Sequence, residues 1–190
     1  MKSARRSPGQ RGTGYKSSDP AMLRTPLDVI AADHARARRI CAELDSLAMS
    51  GRLNRERVQG VLRFVNTELG VHTRDMVDDL FPLLRRRCPR EEDIDVAIAR
   101  ISSDRWAARA LLPQMNSVLA DCLDADRVPT SNEAAVLFSF TDHTRRHLSA
   151  ETAILLPLAR VRLTQLDLES LFLRMQARRE IVPSIETCRA

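Results

Sequence analysis

A histidine and a glutamate in the second half of the chain have the spacing of a binding pair. His147 and Glu151 are four residues apart, so on a helix their side chains lie one above the other on one face. The other residues of that face are Leu137, Phe140, Thr144, Ile154 and Leu158. Because the face is mostly apolar, it is predicted to be buried, where an imidazole and a carboxylate are costly without a partner. The pattern therefore predicts either a metal ion or another protein side chain as that partner.

Three further polar residues interrupt apolar helical stripes elsewhere in the chain. They are His34, His72 and Arg105, and each lies at helical spacing among Leu, Ile and Val residues of a different predicted helix. Arg105 is the most unusual, because a permanently charged side chain rarely occupies the centre of an apolar stripe. Together with His147 and Glu151, these residues give each of four helices a polar side chain that points inward.

The hydrophobic periodicity predicts five helices. Their bounds are about residues 25–50, 54–87, 91–123, 130–157 and 164–179. Capping-box patterns at Thr25 and Thr130 support two of the starts, and Ser50-Gly51 is expected to end the first helix. Pro82 is expected to kink or tighten the second helix. Four long amphipathic helices with short connections predict an all-α fold, an antiparallel up-down four-helix bundle with an extra short C-terminal helix.

The composition changes along the chain and indicates where the folded domain lies. Residues 1–24 are rich in Ser, Gly, Pro and basic residues and are predicted to be a disordered basic tail. Residues 25–180 form the predicted bundle domain, and residues 181–190 a frayed C-terminus. Residues 1–20 contain five basic residues and one acidic residue, so +4 of the formal net charge of +5 lies there. The rest of the chain is nearly neutral, so no nucleic-acid partner is expected.

The cysteines and the hydropathy indicate the compartment. The four cysteines are Cys41, Cys88, Cys122 and Cys188, and their spacing has no pairing logic, so reduced thiols are expected. The sequence has no apolar run of about 18 residues for a membrane span and no apolar core of a secretory signal. We therefore expect a cytoplasmic protein with no membrane partner. A protein partner or a homodimer stays open.

Two segments and an early dipeptide carry a resemblance to a known family. They are D-H at 33–34, H-T-R-D-M-V-D-D-L-F-P at 72–82 and H-L-S-A-E-T-A-I-L-L-P at 147–157. Over about residues 25–178 the chain resembles the hemerythrin-like (HHE cation-binding) family, whose second and fourth helices carry H-x-x-x-E and a proline ten residues after the histidine. The resemblance implies an all-α bundle around a non-haem di-iron or related site. It also implies roles in oxygen carriage, oxygen or nitric-oxide sensing, iron handling or repair of iron centres.

The chain departs from the family pattern at two ligand positions. Met76 stands where the second helix of the family has its glutamate, and Arg105 stands where the third helix has a histidine. The expected metal ligands that remain are His34, His72, His147 and Glu151. This degenerate set predicts at most one metal ion, iron or zinc, and not a di-iron centre. The alternative is a metal-free regulatory or interaction bundle in which Arg105 pairs with Glu151.

The remaining polar signals are weaker. Asp75, Asp78 and Asp79 form an acidic cluster near His72, and their helical spacing predicts a solvated face. His143 is expected to face solvent or to pair near Asp142. No hydrolase or nucleotide-binding motif is present, so a binding role is favoured over catalysis and no catalytic residue is assigned.

Overall fold

The computed structural model of the chain describes residues 25–49 and 52–181. The predicted basic tail at 1–24, the predicted helix end at Ser50-Gly51 and residues 182–190 of the predicted C-terminal fraying lie outside these ranges. Cys188 also lies outside them.

The described residues form helices and no β-strand, which confirms the all-α prediction. The helices are α1 (Pro26–Met49), α2 (Arg55–Asn66), α3 (Glu68–Arg74), α4 (Phe81–Arg87), α5 (Ile94–Asp124), α6 (Ser131–Ala150), α7 (Leu156–Arg162) and α8 (Gln165–Ile181). A π-helical turn at Asp75–Leu80 joins α3 to α4, and another at Glu151–Leu155 joins α6 to α7. The bundle therefore has four long helices, which are α1, α2 to α4, α5, and α6 with α7. The last helix, α8, packs on α1 and on the first π-helical turn.

The second long helix is interrupted at Thr67, where the sequence predicted a continuous helix. The hydroxyl of Thr67 donates to the carbonyl of Arg63 at 2.7 Å, and the amide of Asn66 donates to the carbonyl of Leu62 at 2.9 Å. Such side chains compete with the backbone for helical carbonyls, so two of them in sequence weaken the helix at this point.

Contacts between the long helices give their directions. Arg55 at the start of α2 donates to the carbonyl of Leu123 at the end of α5, at 2.6 Å. At the other end of the same pair, Arg85 of α4 donates to Asp95 at the start of α5, at 2.8 Å. A helix whose start meets its neighbour's end at both extremities is antiparallel to it, as the short connections predict.

The interior consists of two apolar clusters with a polar layer between them. One cluster includes Leu27, Met76, Leu80, Ile101 and Leu155, and the other includes Ile40, Leu44, Met115, Leu137 and Phe140. Along each of the four long helices, a buried polar residue lies between the two apolar groups. These residues are His34, His72, Arg105 and Glu151. The fold thus places one polar side chain from every long helix at the same level of the bundle.

Each π-helical turn lies just ahead of a proline. Pro82 and Pro157 each lie two residues after the end of a turn, and a proline in a helix removes a backbone donor and crowds the preceding turn. A π-helical turn inserts one extra residue, which relieves that crowding and rotates the following residues around the helix axis. For this reason the expected burial of Ile154 is wrong: Ile154 is 43% exposed, whereas Leu155 and Leu156 are buried.

None of the helices in the described part of the chain has the length and apolar character that crossing a bilayer requires.

Candidate metal centre

Three of the predicted ligands meet in the polar layer. One ligand atom each from His34, His72 and Glu151 lies within 4.8 Å of the other two, and all three side chains are buried. Glu151 Oε2 is 3.0 Å from His34 Nε2 and 3.7 Å from His72 Nε2. The two imidazole rings meet edge to face, with their centroids 5.0 Å apart. The structure therefore brings together three of the four residues that the sequence predicts as ligands.

The hydrogen bonds of Thr152 determine which nitrogen of His34 carries the proton. The Thr152 hydroxyl donates its single proton to the carbonyl of Leu148 at 2.7 Å and accepts from Arg38 at 2.9 Å. It can therefore only accept from His34 Nδ1, which lies 2.9 Å away. The proton of neutral His34 is thus on Nδ1, and the lone pair of Nε2 faces Glu151. Such orientation by a second residue is typical of metal-binding histidines.

Arg105 holds the other oxygen of Glu151. Its Nη2 donates to Glu151 Oε1 inside the bundle, which agrees with the pair predicted from the sequence. The guanidinium also lies over the ring of Phe81, 5.9 Å from the centroid, in a cation–π contact. Burial by itself raises the pKa of Glu151, but the positive charge of Arg105 holds that pKa well below its usual range. Glu151 is therefore a carboxylate at neutral pH.

The donor set has the properties that one metal ion requires. His34 Nε2, His72 Nε2 and Glu151 Oε2 are all buried without a hydrogen-bond partner. Buried polar atoms normally have hydrogen-bond partners, so three neighbouring atoms without one indicate that a shared partner can bind there. Ligand atoms that share an ion at ~2.0–2.2 Å lie about 3.0–3.6 Å from one another, close to the separations of 3.0 and 3.7 Å found here. The residues present therefore fit a single ion.

The same layer does not fit a second ion. Met76, at the position of the family's second carboxylate, is fully buried in an apolar cluster, and its thioether is a weak ligand for hard cations. Arg105 brings a permanent positive charge to the side of Glu151 that faces away from the histidines. A second cation there would lack a bridging carboxylate and would meet electrostatic repulsion.

His147, the fourth predicted ligand, is buried but lies outside the group of three. Its Nδ1 is 3.1 Å from the carbonyl of His143, so the proton of the neutral ring is on Nδ1 and the Nε2 lone pair is available. Burial, the largest influence, lowers the pKa of His147 to about 4, although Glu151 opposes this effect. His147 is therefore a neutral imidazole in the field of Glu151, Arg105 and His72.

A buried ion-pair network lies beside the polar layer, where the sequence predicted a solvated acidic face. That prediction is wrong for Asp75 and Asp79, which are 0% and 6% exposed, and right only for Asp78. Both buried carboxylates pair with Arg178 of α8. The arginines of α8, spaced so that they face the acidic cluster, were the signal in the sequence for this contact.

Asp33 connects that network to the ligands. It accepts from Arg36 at 2.6 Å and from Arg179 at 2.8 Å, and its Oδ2 is 3.9 Å from His72 Nδ1. The last distance is too long for a hydrogen bond. Asp33 therefore lies next to the ligand set with its charge already neutralised by two arginines.

His143, which was expected to face solvent or to pair near Asp142, binds a different carboxylate. Its Nδ1 is 3.0 Å from Asp104 of α5, whereas Asp142 pairs with Arg146 at 2.6 Å. His143 is thus a half-buried histidine of the interface between α5 and α6 and not part of the ligand group.

The fold and the site together define a class: an all-α bundle with a buried cluster of imidazoles and a carboxylate that could hold a cation. Comparison with known families agrees, because residues 25–159 match the model of the hemerythrin HHE cation-binding domain. Since this match covers more than half of the chain, the protein belongs to that family. No curated protein shows significant similarity to the chain.

Proposed function

We propose that this protein is a single-metal module that holds one iron or zinc ion through His34, His72 and Glu151, with His147 as the fourth ligand. Two imidazoles and one carboxylate are a ligand set that suits Fe(II) and Zn(II). We further propose that the module serves in oxygen or nitric-oxide sensing or in the response to iron stress, in the cytoplasm. The free thiols of Cys41, Cys88 and Cys122 suit a reducing compartment.

One contact supports the proposal more than any other: Nε2 of His34 and Oε2 of Glu151 lie 3.0 Å apart in the interior, and Nδ1 of the same histidine lies within hydrogen-bond distance of Thr152. His34 carries its proton on Nδ1, so Nε2 presents a lone pair to the carboxylate oxygen of Glu151 at 3.0 Å. Two acceptors at that separation repel unless a cation lies near both. Burial, the largest influence, lowers the pKa of His34, so a proton is not that cation at neutral pH.

The surrounding residues have separate tasks in this proposal. Thr152 orients His34, the backbone carbonyl of His143 orients His147, and Arg105 fixes one oxygen of Glu151 so that the other faces the histidines. The apolar clusters on either side of the layer exclude water. A bound iron would supply a redox-active centre that accepts a small exogenous ligand.

The experiment compares two histidines on the wild-type background. We expect purified protein loaded with Fe(II) or Zn(II) to contain close to one ion per chain, and His72→Ala to lower this content well below stoichiometric. His143→Ala is the matched control, because His143 is also a partly buried, carboxylate-paired histidine but lies outside the group. Equal metal content in the two variants would contradict the proposed ligand set.

A second function is favoured by the contact between Arg105 and Glu151. In a metal-free regulatory or interaction bundle, this ion pair would account for the polar layer, since Arg105 and Glu151 neutralise each other's buried charge without a metal ion. Metal analysis distinguishes the two functions, because this alternative requires wild-type protein to remain metal-free after loading.

A further inference from the structure

The polar layer is electrically balanced before a cation enters it. Glu151 contributes one negative charge and Arg105 one positive charge, in direct contact. Histidines that bind a metal do so as neutral imidazoles. A divalent ion bound by His34, His72 and Glu151 would therefore leave two uncompensated positive charges in the interior, which is very unfavourable in a medium of low polarity.

The neighbouring carboxylates are not available to compensate for that charge. Asp33, whose Oδ2 is 3.9 Å from His72 Nδ1, is held by Arg36 and Arg179. Asp75 and Asp79 are held by arginines of α8 in the same way. Each of these carboxylates is already paired with arginine, so the network next to the site cannot compensate the positive charge of a bound cation.

Arg105, in contrast, has one hydrogen-bond donor that is not used. Its Nη2 donates to Glu151. Its side chain is only 10% exposed, and its Nε–H is buried without a hydrogen-bond partner. An unpartnered buried donor is costly, and a guanidinium satisfies two donors at once when it binds a planar anion such as a carboxylate. The uncompensated positive charge of the cation and the unpartnered Nε–H of Arg105 would both be satisfied by a small anion.

We propose that the site takes up its divalent cation together with a small carboxylate anion of the size of formate, and that Arg105 holds this anion. The inference rests on the proposed function, because it requires a bound cation. It assigns Arg105 a role of its own: the residue that excludes a second metal ion also creates an anion site beside the first.

The test is a zinc titration with and without formate. Zinc affinity is measured by competition with a chromophoric chelator, in a buffer whose only other anion is a bulky sulfonate. We expect formate to tighten zinc binding to the wild-type protein about tenfold, within the range of ordinary coupling between two sites. In Arg105→Gln we expect zinc to bind with no dependence on formate. Arg146→Gln is the control, because Arg146 is an exposed arginine paired with Asp104 and Asp142, and it should keep the wild-type response.

Coupling is reciprocal, so a second measurement on wild-type protein needs no variant. Carbon-13 formate should bind saturably in NMR titrations when zinc is present and much more weakly when it is absent. Zinc binding that ignores formate, an equal formate effect in Arg105→Gln, or formate binding that ignores zinc would each overturn the inference while leaving the proposed function intact. Failure of wild-type protein to bind zinc under either condition would overturn the inference, and failure to bind Fe(II) as well would overturn the proposed function.

Discussion

The two halves of the bundle contain the same segment with different chemistry. Residues 72–82 and 147–157 each begin with a buried histidine, enter a π-helical turn and end at a proline ten residues later. Four residues after the histidine, the first segment has Met76 and the second has Glu151, and both side chains are fully buried. Both positions therefore lie within the first two residues of a π-helical turn, whether they hold a thioether or a carboxylate.

The difference between the segments lies in what each inward side chain contacts. Met76 packs in the apolar cluster below the polar layer, whereas Glu151 joins the layer and pairs with Arg105. The proline and the π-helical turn thus determine where the position lies, while the residue type determines what it contacts. One half can then lose its ligand without losing its shape.

The outer faces of the segments also differ. The first segment presents Asp75 and Asp79 to α8, and burial raises the pKa of Asp75 even though Arg179 and Arg178 oppose this effect. The second segment presents Thr152 to His34. The half that contains Met76 is thus held by ion pairs to α8, whereas the half that contains Glu151 orients His34 of α1 through Thr152.

The largest expected change comes from making the two segments alike. Met76→Glu combined with Arg105→His restores a carboxylate and an imidazole at the positions where the family has them. We expect the double variant to bind two ions per chain, measured by elemental analysis after loading, because the added groups supply a bridging carboxylate and remove the repelling charge. Uptake of one ion or none by a folded double variant would mean that these positions are not the vacant ligand positions. Arg105→His alone is the control and should not gain a second ion.

Removal of the retained carboxylate should destabilise the protein more than a change at the matched position. Glu151→Ala leaves Arg105 buried without its partner, which we expect to cost about 3–5 kcal/mol in the free energy of unfolding of metal-free protein. Met76→Leu conserves volume in an apolar cluster and should cost less than ~1.5 kcal/mol. Urea denaturation measures both. An unchanged midpoint for Glu151→Ala would rule out the buried ion pair.

Stability of the metal-free protein should also fall in mildly acidic solution. The pKa of His147 is about 4 in the folded protein, against an ordinary value of 6.5 for histidine, so between these two pH values the unfolded chain binds the extra proton. The free energy of unfolding should therefore decrease as pH falls from 6.5 towards 4, by up to about 3 kcal/mol from this residue. Protonation of Glu151 decreases the free energy of unfolding further, but only at pH values below the usual pKa range of glutamate, because the pKa of Glu151 is lowered in the folded protein.

His147→Asn tests that assignment, because asparagine keeps a donor for the carbonyl of His143 and does not titrate. The variant should have a shallower dependence of stability on pH over this interval. A wild-type slope that the substitution leaves unchanged would assign the effect to other groups.

The contact between α8 and the first segment should give the smallest effect. Arg178→Gln removes a guanidinium shared by Asp75 and Asp79, and we expect a loss of about 1–3 kcal/mol because both carboxylates are buried. Arg174→Gln is the matched control, since Arg174 pairs with Asp79 alone and is 45% exposed, and should cost less than ~1 kcal/mol. Equal losses in thermal denaturation would argue against a specific role of Arg178.

Much of the fold and part of the site follow from the sequence. Periodicity and caps predict the long helices, and the capping box at Thr130 is present with both of its hydrogen bonds. The convergence of His34, His72 and Glu151 follows because each interrupts an apolar stripe, and stripes meet in the centre of a bundle. The pairing of Arg105 with Glu151 follows from charge, since neither group is tolerated alone in the interior.

Other features depend on register between segments far apart in the chain. The contact of Thr152 with His34 joins positions 118 residues apart, so local periodicity carries no sign of it. The exposure of Ile154 follows from one extra residue in a π-helical turn, which a period of 3.6 residues does not contain. The burial of Asp75 requires the docking of α8, and tertiary contacts of this kind override the pattern of a single helix.

The most direct test of the central claim is X-ray absorption spectroscopy on protein loaded with iron or zinc, with the metal content measured on the same sample. A site built from His34, His72 and Glu151 predicts one ion per chain, with nitrogen and oxygen ligands, imidazole scattering, and neither sulfur nor a second metal in the coordination environment. A metal–metal distance, or a sulfur ligand from Met76, would contradict the account.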